Sequence, residues 1–329
     1  MKEQPLIIVT GAAGFIGSCC VRELNDRGFH NLLLVDDIKR TEKWKNLVGK
    51  RFCDLISRHT LFAWLQNHGE RVHAILHLGA CSDTLESDGD FLMENNYRYS
   101  VRLAQFALER GVRFVYASSA ATYGNGSLGF SDDHGQLEHF CPLNLYGYSK
   151  YAFDLWVKAH DVLDKVVGLK YFNVFGPNEA HKGRMASMIW KMAPLVQQEG
   201  VIRLFRSNDP ERFKDGEQVR DFIYVKDAAR MTCDFLNNSM TGIYNIGSGE
   251  AMSWNQVAES LFEALGKPTR IEYIDMPPTL AGQYQNYTRA DMNKYKRTHG
   301  VASQQSPCTY SLREGVRDCV QYLFKGAFL

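Results

Sequence analysis

The stretch LIIVTGAAGFIGS, residues 6–18, decides the fold. Its first five residues form a short β-branched run typical of a buried parallel strand. The run leads into Gly11, Gly14 and Gly17, spaced as G-x-x-G-x-x-G, and a helical pattern follows up to Gly28. Glycine lets the backbone approach a pyrophosphate closely, and a helix N-terminus offers free N–H groups to it. The stretch therefore predicts a dinucleotide site.

Two acids follow the next strand pattern, residues 31–35, at the spacing that such a site requires. Asp36 or Asp37 can accept hydrogen bonds from an adenosine ribose, which favours NAD. Cations near this point can instead bind a ribose 2′-phosphate, which favours NADP. Four of them occur close by in the sequence: Lys39, Arg40, Lys43 and Arg58. The residues alone leave NAD and NADP equally open.

The rest of the chain continues the alternation of strands and helices. Apolar runs at 74–78, 114–117 and 169–172 each end in small or polar residues, with helical patterns between them. This pattern predicts an α/β fold of the Rossmann type, a doubly wound parallel sheet whose sites lie beyond the carboxyl ends of its strands.

A smaller C-terminal α/β domain for the substrate is also predicted. Residues 254–265 read as a helix with a capping box formed by Ser253 and Gln256. The predicted division is interleaved. The dinucleotide-binding domain comprises 1–172 with 219–248, and the substrate-binding domain comprises 173–218 with 249–329.

Bulk properties exclude several classes of function. The 329 residues carry a net charge of +1, so no basic field indicates nucleic acid or a membrane surface. No apolar run reaches the roughly 20 residues of a membrane span, and the N-terminus lacks a signal-peptide pattern. The cysteines show no zinc-site spacing, so no metal site is predicted. We expect a cytoplasmic protein.

A redox constellation lies at the carboxyl ends of the predicted strands. Tyr146 and Lys150, in YGYSK, are four residues apart on a predicted helix and share one face. Ser119 ends the preceding strand. A nearby ammonium favours the phenolate of a tyrosine, which can take a proton from a carbinol while a hydride leaves. These three residues are predicted to be catalytic.

Together these motifs resemble the extended short-chain dehydrogenases/reductases that act on nucleotide sugars. Within that group the chain is similar to the ADP-heptose 6-epimerase family, over nearly its whole length. One position departs from the family pattern, since Leu78 stands where a glutamate is usual. The matching stretches are VTGAAGFIGS, GACSDT, ENNYRYS, YASSAATYG, PLNLYGYSK, YFNVFGP, HKGRMAS, RDFIYVKD, GIYNIGSG and GQYQNYTRAD.

The resemblance implies tightly bound NADP and a set of cofactor contacts beyond the three glycines. It also implies a homo-oligomer, a homopentamer in this family, and a place in the supply of heptose for lipopolysaccharide core. The implied cofactor contacts are Phe15, Ile16, Asp36, Asp37, Lys43, Arg58, Leu78, Gly79, Ala80, Cys81, Ser82, Asn95, Lys150, Val174 and Lys182.

Lys182, in HKGRMAS, has two possible roles. A single-centre epimerase must return a hydride to the opposite face of the carbon, so a second proton donor is useful. A desolvated lysine can exchange protons near neutrality. Lys182 could instead bind a pyrophosphate beside Arg184 and Lys191, and the residues alone leave both roles open. The resemblance implies that Lys182 is the second acid/base group.

The substrate contacts are predicted more loosely. Arg220 is suited to a pyrophosphate, and Phe205 to an adenine face. The resemblance adds the remaining members of the set, which is Asn173, Arg184, Lys191, Phe205, Arg206, Ser207, Asn208, Arg220 and Tyr284.

The resemblance implies epimerisation at C6″ of ADP-D-glycero-β-D-manno-heptose through a transient 6″-ketone. A 4,6-dehydratase would need an acid and a base after the serine, where Ala120 and Ala121 stand. A UDP-hexose 4-epimerase would not need Lys182. A non-catalytic NADP-binding regulator should show a broken triad, whereas Ser119, Tyr146 and Lys150 are all present.

Overall fold

The computed structural model describes residues 4–277 and 284–329. All five residues of the first strand are buried, as expected for the centre of a parallel sheet. The predicted strands are all present, with ends that agree to within a few residues. The strands are β1 Leu6–Thr10, β2 Leu32–Val35, β3 Asp54–Ile56, β4 Val72–His77, β5 Arg113–Ser119, β6 Val166–Tyr171, β7 Asn173–Phe175, β8 Ile202–Phe205, β9 Val219–Tyr224, β10 Gly242–Ile246, β11 Ala251–Ser253 and β12 Ile271–Ile274.

Seven of these strands form one parallel sheet in the order β10-β6-β5-β4-β1-β2-β3. From β1 the chain adds β2 and β3 toward one edge of the sheet. It then returns to place β4 on the other side of β1 and adds β5, β6 and β10 toward the opposite edge. The point between β1 and β4 is therefore the topological switch point, where ligands bind in open α/β sheets. This order confirms the predicted doubly wound fold.

Helices cover both faces of the large sheet. Apolar side chains of the first and seventh helices pack on one face, and those of the second, fourth and fifth pack on the other. The helices are α1 Phe15–Asp26, α2 Leu61–His68, α3 Gly89–Leu92, α4 Tyr99–Arg110, α5 Leu145–Ala159, α6 Met188–Glu199, α7 Val225–Asp234, α8 Trp254–Ala264, α9 Asn293–Thr298 and α10 Leu312–Lys325.

The remaining strands form two small sheets. β9 pairs with β7 in parallel and with β11 antiparallel, while β8 pairs with β12. The predicted capping box at the start of α8 is confirmed, because the side chains of Ser253 and Gln256 bond reciprocally to each other's backbone N–H groups. Within predicted segment 219–248, β10 joins the large sheet, whereas β9 lies in the small one. The two-domain division itself stays a prediction.

Across residues 4–277 and 284–329, no helix has both the length and the apolar character needed to span a membrane.

Candidate active site

The glycines of the turn after β1 stand where side chains would collide. Gly11 has φ of 67°, and a Cβ there would lie 2.7 Å from the Cα of Gly79. A Cβ on Gly17 would lie 2.1 Å from the carbonyl oxygen of Gly11. α1 begins after Gly14 with no side-chain cap and no acid in its first turn. Its first N–H groups and its dipole are therefore available to a pyrophosphate.

The two acids after β2 are each paired with one predicted cation. Asp36 accepts hydrogen bonds from the backbone N–H of Ala13 at 2.9 Å and from Lys43 Nζ at 2.6 Å. Arg58 Nε lies 2.8 Å from a carboxylate oxygen of Asp37. The glycine turn, both acids and these two cations thus form one cluster. The other two cations of the stretch are exposed: Lys39 and Arg40.

The segment 78–82 follows β4 and is tied to the helices beside it by one asparagine. Asn96 accepts from the backbone N–H of Cys81 and donates to its carbonyl, both at 2.9 Å. Its amide also lies 3.0 Å from the Ser149 hydroxyl on α5. Asn95 Oδ1 is buried without a partner among the described residues, so it is an open acceptor beside this segment. These residues fit a dinucleotide at the switch point.

The predicted triad comes together at the end of β5. Tyr146 and Lys150 lie one turn apart on α5, and the Ser119 side chain acts on the Tyr146 hydroxyl, lowering its pKa. Lys150 is buried and donates from Nζ to the carbonyl of Ala117 at 2.8 Å. Burial lowers the pKa of Lys150 to about 8 and raises that of Tyr146, against the effect of Ser119. The group is built to move a proton to or from an oxygen held by Ser119.

A fully buried ion pair supports this triad from behind. Asp154, one turn after Lys150 on α5, lies 2.5 Å from Lys170 Nζ on β6, and neither side chain is exposed. The Asp154 carboxylate also accepts from Ser118 at 2.7 Å and from Tyr116 at 3.0 Å. Its negative charge raises the pKa of Lys150, against the larger effect of burial. This network fixes α5 to the C-terminal half of β5 and to β6.

Lys182 lies in a short 3-10 segment, Ala180–Met185, between β7 and α6. Its Nζ is 5.2 Å from the ring centroid of Phe15, the first residue of α1. Burial lowers the pKa of Lys182, Glu179 raises it, and Lys191 lowers it. The structure therefore brings a partly buried amine to the glycine turn, and its contact with the cofactor stays a prediction.

The two cations that follow Lys182 have protein partners in the structure. Arg184 pairs with Asp83, which directly follows the segment 78–82, at 2.6 Å. Lys191 donates from Nζ to the carbonyl of Arg184 at 3.2 Å. The pair joins the loop after β4 to the segment that carries Lys182, so the two loops meet across the switch point.

A buried arginine marks the predicted pyrophosphate position. Arg220, on β9, is 7% exposed and donates to the carbonyl of Val219 at 2.9 Å. It forms no ion pair with a carboxylate in the described part of the chain, and burial lowers its pKa. Its guanidinium lies 4.9 Å from the ring of Tyr284, which in turn contacts Phe205 edge-on at 6.4 Å. A buried unpaired cation between aromatic rings requires an anionic partner.

Other predicted substrate residues surround this position less closely. Arg206 pairs with exposed Asp275 at 2.8 Å, and the Ser207 N–H donates to Asp215 at 2.9 Å. Asn173 is exposed at the start of β7. The structure thus gives Arg206, like Arg184, a carboxylate partner that the sequence pattern did not reveal.

A family model for the NAD dependent epimerase/dehydratase family matches residues 7–247. The chain belongs to this family. Membership of a family described as NAD dependent makes the dinucleotide cofactor a nicotinamide one.

The relatives of this epimerase/dehydratase include two proteins named ADP-L-glycero-D-manno-heptose-6-epimerase. One, from Nitratidesulfovibrio vulgaris strain DP4, is 50% identical over 88% of this chain and 91% of its own length. Another, from Fusobacterium nucleatum, is 43% identical over 97% of this chain and 98% of its own. A solved structure of the Helicobacter pylori enzyme of that name has a TM-score of 0.81 and 27% identity, with 98% and 97% of the two chains covered. The resemblance stated above is confirmed.

Sequence reasoning missed several residues that hold the site together. Asp154 lies four residues after Lys150, so helical spacing from the motif was a usable signal. Glu179 lies three residues before Lys182, but nothing in a loop sequence reveals that its carboxylate turns inward. Asn96 and Asp83 bind through tertiary contacts that no local pattern encodes.

Proposed function

We propose that the chain epimerises ADP-D-glycero-β-D-manno-heptose at C6″ to the L-glycero form. The observation that carries this is a second amine, Lys182, over Phe15 at the glycine turn, in a chain that also holds the complete Ser119, Tyr146 and Lys150 group. Relatives at 50% and 43% identity are named for this reaction, which supports the same substrate here.

The chemistry explains why two proton-transferring groups are useful. C6″ lies on a side arm outside the sugar ring. A nicotinamide, when bound, would accept a hydride from C6″ and return it to the opposite face of the same carbon. The 6″-ketone must therefore turn over, and its oxygen then lies in a new place. Tyr146 serves the oxygen in one configuration and Lys182 in the other.

We propose NADP as the dinucleotide, with NAD as the alternative. Lys43 and Arg58 lie directly against Asp36 and Asp37, where a ribose binds in this kind of fold. Lysine and arginine side chains bind phosphate oxygens through charge-assisted hydrogen bonds. The open acceptor of Asn95 and the uncapped start of α1 support the placement of the rest of the cofactor.

Arg220 is proposed to bind the pyrophosphate of the substrate. It is a buried cation without a carboxylate among the described residues, and aromatic rings flank it. Phe205 and Tyr284 would then contact the adenine, and Arg184 and Lys191 would contact the sugar phosphate end. The remaining proposed substrate contacts are Asn173, Arg206, Ser207 and Asn208.

The test is conversion of ADP-D-glycero-β-D-manno-heptose followed by NMR at C6″, with wild type, Tyr146→Phe and Lys182→Met. We expect each variant to lose about 10²–10⁴-fold in rate while still binding the sugar nucleotide, as for loss of a general acid/base group. If Lys182→Met only weakens binding, Lys182 is a phosphate ligand instead. Inactivity of wild type would remove the substrate assignment and leave a nucleotide-sugar oxidoreductase. The homopentamer, the cytoplasmic location and the role in lipopolysaccharide core supply stay predictions.

A further inference from the structure

One buried carboxylate closes the segment that carries Lys182. Glu179 is 0% exposed, and its Oε1 accepts from the backbone N–H of Gly176 at 3.2 Å and from the Ser187 hydroxyl at 2.7 Å. Its Oε2 accepts from the backbone N–H of Ser187 at 2.5 Å. Gly176 directly follows β7 and Ser187 is the N-cap of α6, so a single side chain joins both ends of the loop between them.

The main chain of the same residue also holds the lysine. The backbone N–H of Lys182 donates to the carbonyl of Glu179 at 3.0 Å. Gly183 follows with φ of 51° and ψ of −118°, which turns the chain away immediately after the lysine. The position of Lys182 therefore depends on Glu179 on one side and on a glycine conformation on the other.

The charged groups around the Glu179 carboxylate are few, and most of them are positive. Burial raises the pKa of the Glu179 carboxyl, and the N–H and O–H donors to both of its oxygens lower it. The charge of Lys182 also lowers it, and Lys191 on α6 adds a second positive charge near Lys182. His181 has its pKa lowered by burial to about 4 and is neutral.

Groups on the other packed helices do not replace this negative charge. Burial raises the pKa of Cys19 on α1 to about 12 and also raises that of Cys319 on α10, so both thiols are neutral. Lys43 and Asp36, whose charges act on His181, are paired with each other. The charge of Lys50 acts on Cys19. Glu179 is therefore the carboxylate that faces Lys182.

We propose that Glu179 is a positioning residue for Lys182: its carboxylate joins the two ends of the segment that carries the lysine and lies in the same turn as the lysine. This inference rests on the proposed function of Lys182. A lysine that donates its proton leaves a buried carboxylate uncompensated, and that charge favours return of the proton. Burial alone would favour the neutral amine of Lys182, because it lowers the pKa of the lysine.

The experiment compares Glu179→Gln with two matched variants. Ser187→Ala removes the hydroxyl hydrogen bond to Glu179 but keeps the backbone bond and the charge. Asp227→Asn neutralises another buried carboxylate, one on α7 that accepts from the backbone N–H groups of Thr309 and Tyr310 and pairs with Arg230. Two readouts are taken. One is kcat and KM for epimerisation, and the other is the pH dependence of Lys182 acetylation by acetic anhydride, followed by mass spectrometry, which needs no turnover.

Glu179→Gln should lower kcat at least about tenfold with KM nearly unchanged, and should move the titration of Lys182 to lower pH. Ser187→Ala should lower kcat less and leave that titration in place, and Asp227→Asn should change neither. An unchanged Lys182 titration in folded Glu179→Gln overturns the proposal. Inactive wild type with a shifted titration would instead reject the substrate and keep the proposal.

A second variant covers the case in which Glu179→Gln does not fold. Glu179→Asp keeps the carboxylate but retracts it from Ser187, so Lys182 should titrate as in wild type while kcat falls. A wild-type kcat in Glu179→Asp would overturn the positioning role, because activity would then not depend on the hydrogen bonds by which Glu179 joins the two ends of the loop.

Discussion

Lys150 and Lys182 are two amines whose pKa is lowered by burial, yet the molecule holds them in opposite ways. Lys150 lies in the first half of a 15-residue helix, donates to the carbonyl of Ala117, and is backed by the buried Asp154–Lys170 pair. Lys182 lies in a short turn that Glu179 closes through hydrogen bonds at its two ends.

The difference shows how a rigidly held lysine and a more easily displaced one are built in one chain. A helix sets the distance between Tyr146 and Lys150 by its own geometry, and the ion pair behind it resists any shift. A loop held by one side chain can be moved by one substitution. The first site should therefore fail by unfolding, and the second by losing activity while the fold persists.

The largest effect is expected at the rigid site. Asp154→Asn should lower the free energy of unfolding by about 3–5 kcal/mol, because it leaves Lys170 buried without a counter-charge. Chemical denaturation measures this loss. The double variant Asp154→Leu with Lys170→Met should lose less, since it removes both charges together. A loss below about 1 kcal/mol in the single variant would contradict the contrast between the two sites.

A smaller effect on stability, with a clear effect on rate, is expected at the loop. Gly183 has φ of 51° and open space where a Cβ would stand, so Gly183→Ala should cost about 1–3 kcal/mol in backbone strain. Because Lys182 precedes it, kcat should fall about tenfold. The control is Gly200→Ala, which also has positive φ and open space but lies at the end of α6. Equal kcat in both variants would refute the link to Lys182.

The pH dependence of stability sharpens the comparison. The pKa of Lys150 is about 8 when folded, against an ordinary value of 10.5, so the unfolded chain holds the proton more strongly between these values. The cost of burying the ammonium is therefore fully present below pH 8 and declines as pH rises toward 10.5. Lys150→Met should gain stability relative to wild type at pH 7.5, and this gain should shrink by roughly 2 kcal/mol at pH 9.5.

Thermal or chemical denaturation of both proteins at the two pH values gives the difference. Lys182→Met should show a weaker dependence, because Lys182 is partly exposed and Glu179 opposes the effect of burial. A stronger dependence for Lys182→Met than for Lys150→Met would contradict the contrast between a buried and a partly open site.

The smallest effect is expected from the ion pair that joins the two loops. Arg184→Gln should leave the free energy of unfolding nearly unchanged, because its side chain is 66% exposed and solvent screens the pair with Asp83. If Arg184 also contacts the substrate, KM should rise a few-fold with kcat unchanged. Arg22→Gln, which breaks an exposed helix pair with Asp26, is the control and should alter neither KM nor kcat.

The sequence by itself determined the large sheet and one half of the site. Strand and helix periods are local properties, and Gly11, Gly14 and Gly17 stand in a turn whose spacing is fixed by the strand and helix on either side. Tyr146 and Lys150 share a helix face for the same reason. These features follow from neighbours in the chain, so a reader of the sequence can find them.

Only the tertiary structure decided what surrounds Lys182 and which partners its neighbours take. Glu179 reaches Ser187 eight residues away, Arg184 reaches Asp83, and Asp154 reaches Lys170 on another strand. A loop has no period that sets where its side chains point, and a buried charge is stabilised by whatever donor the fold brings to it. The surroundings of Lys182 therefore follow from the packing of distant segments, which no local sequence pattern encodes.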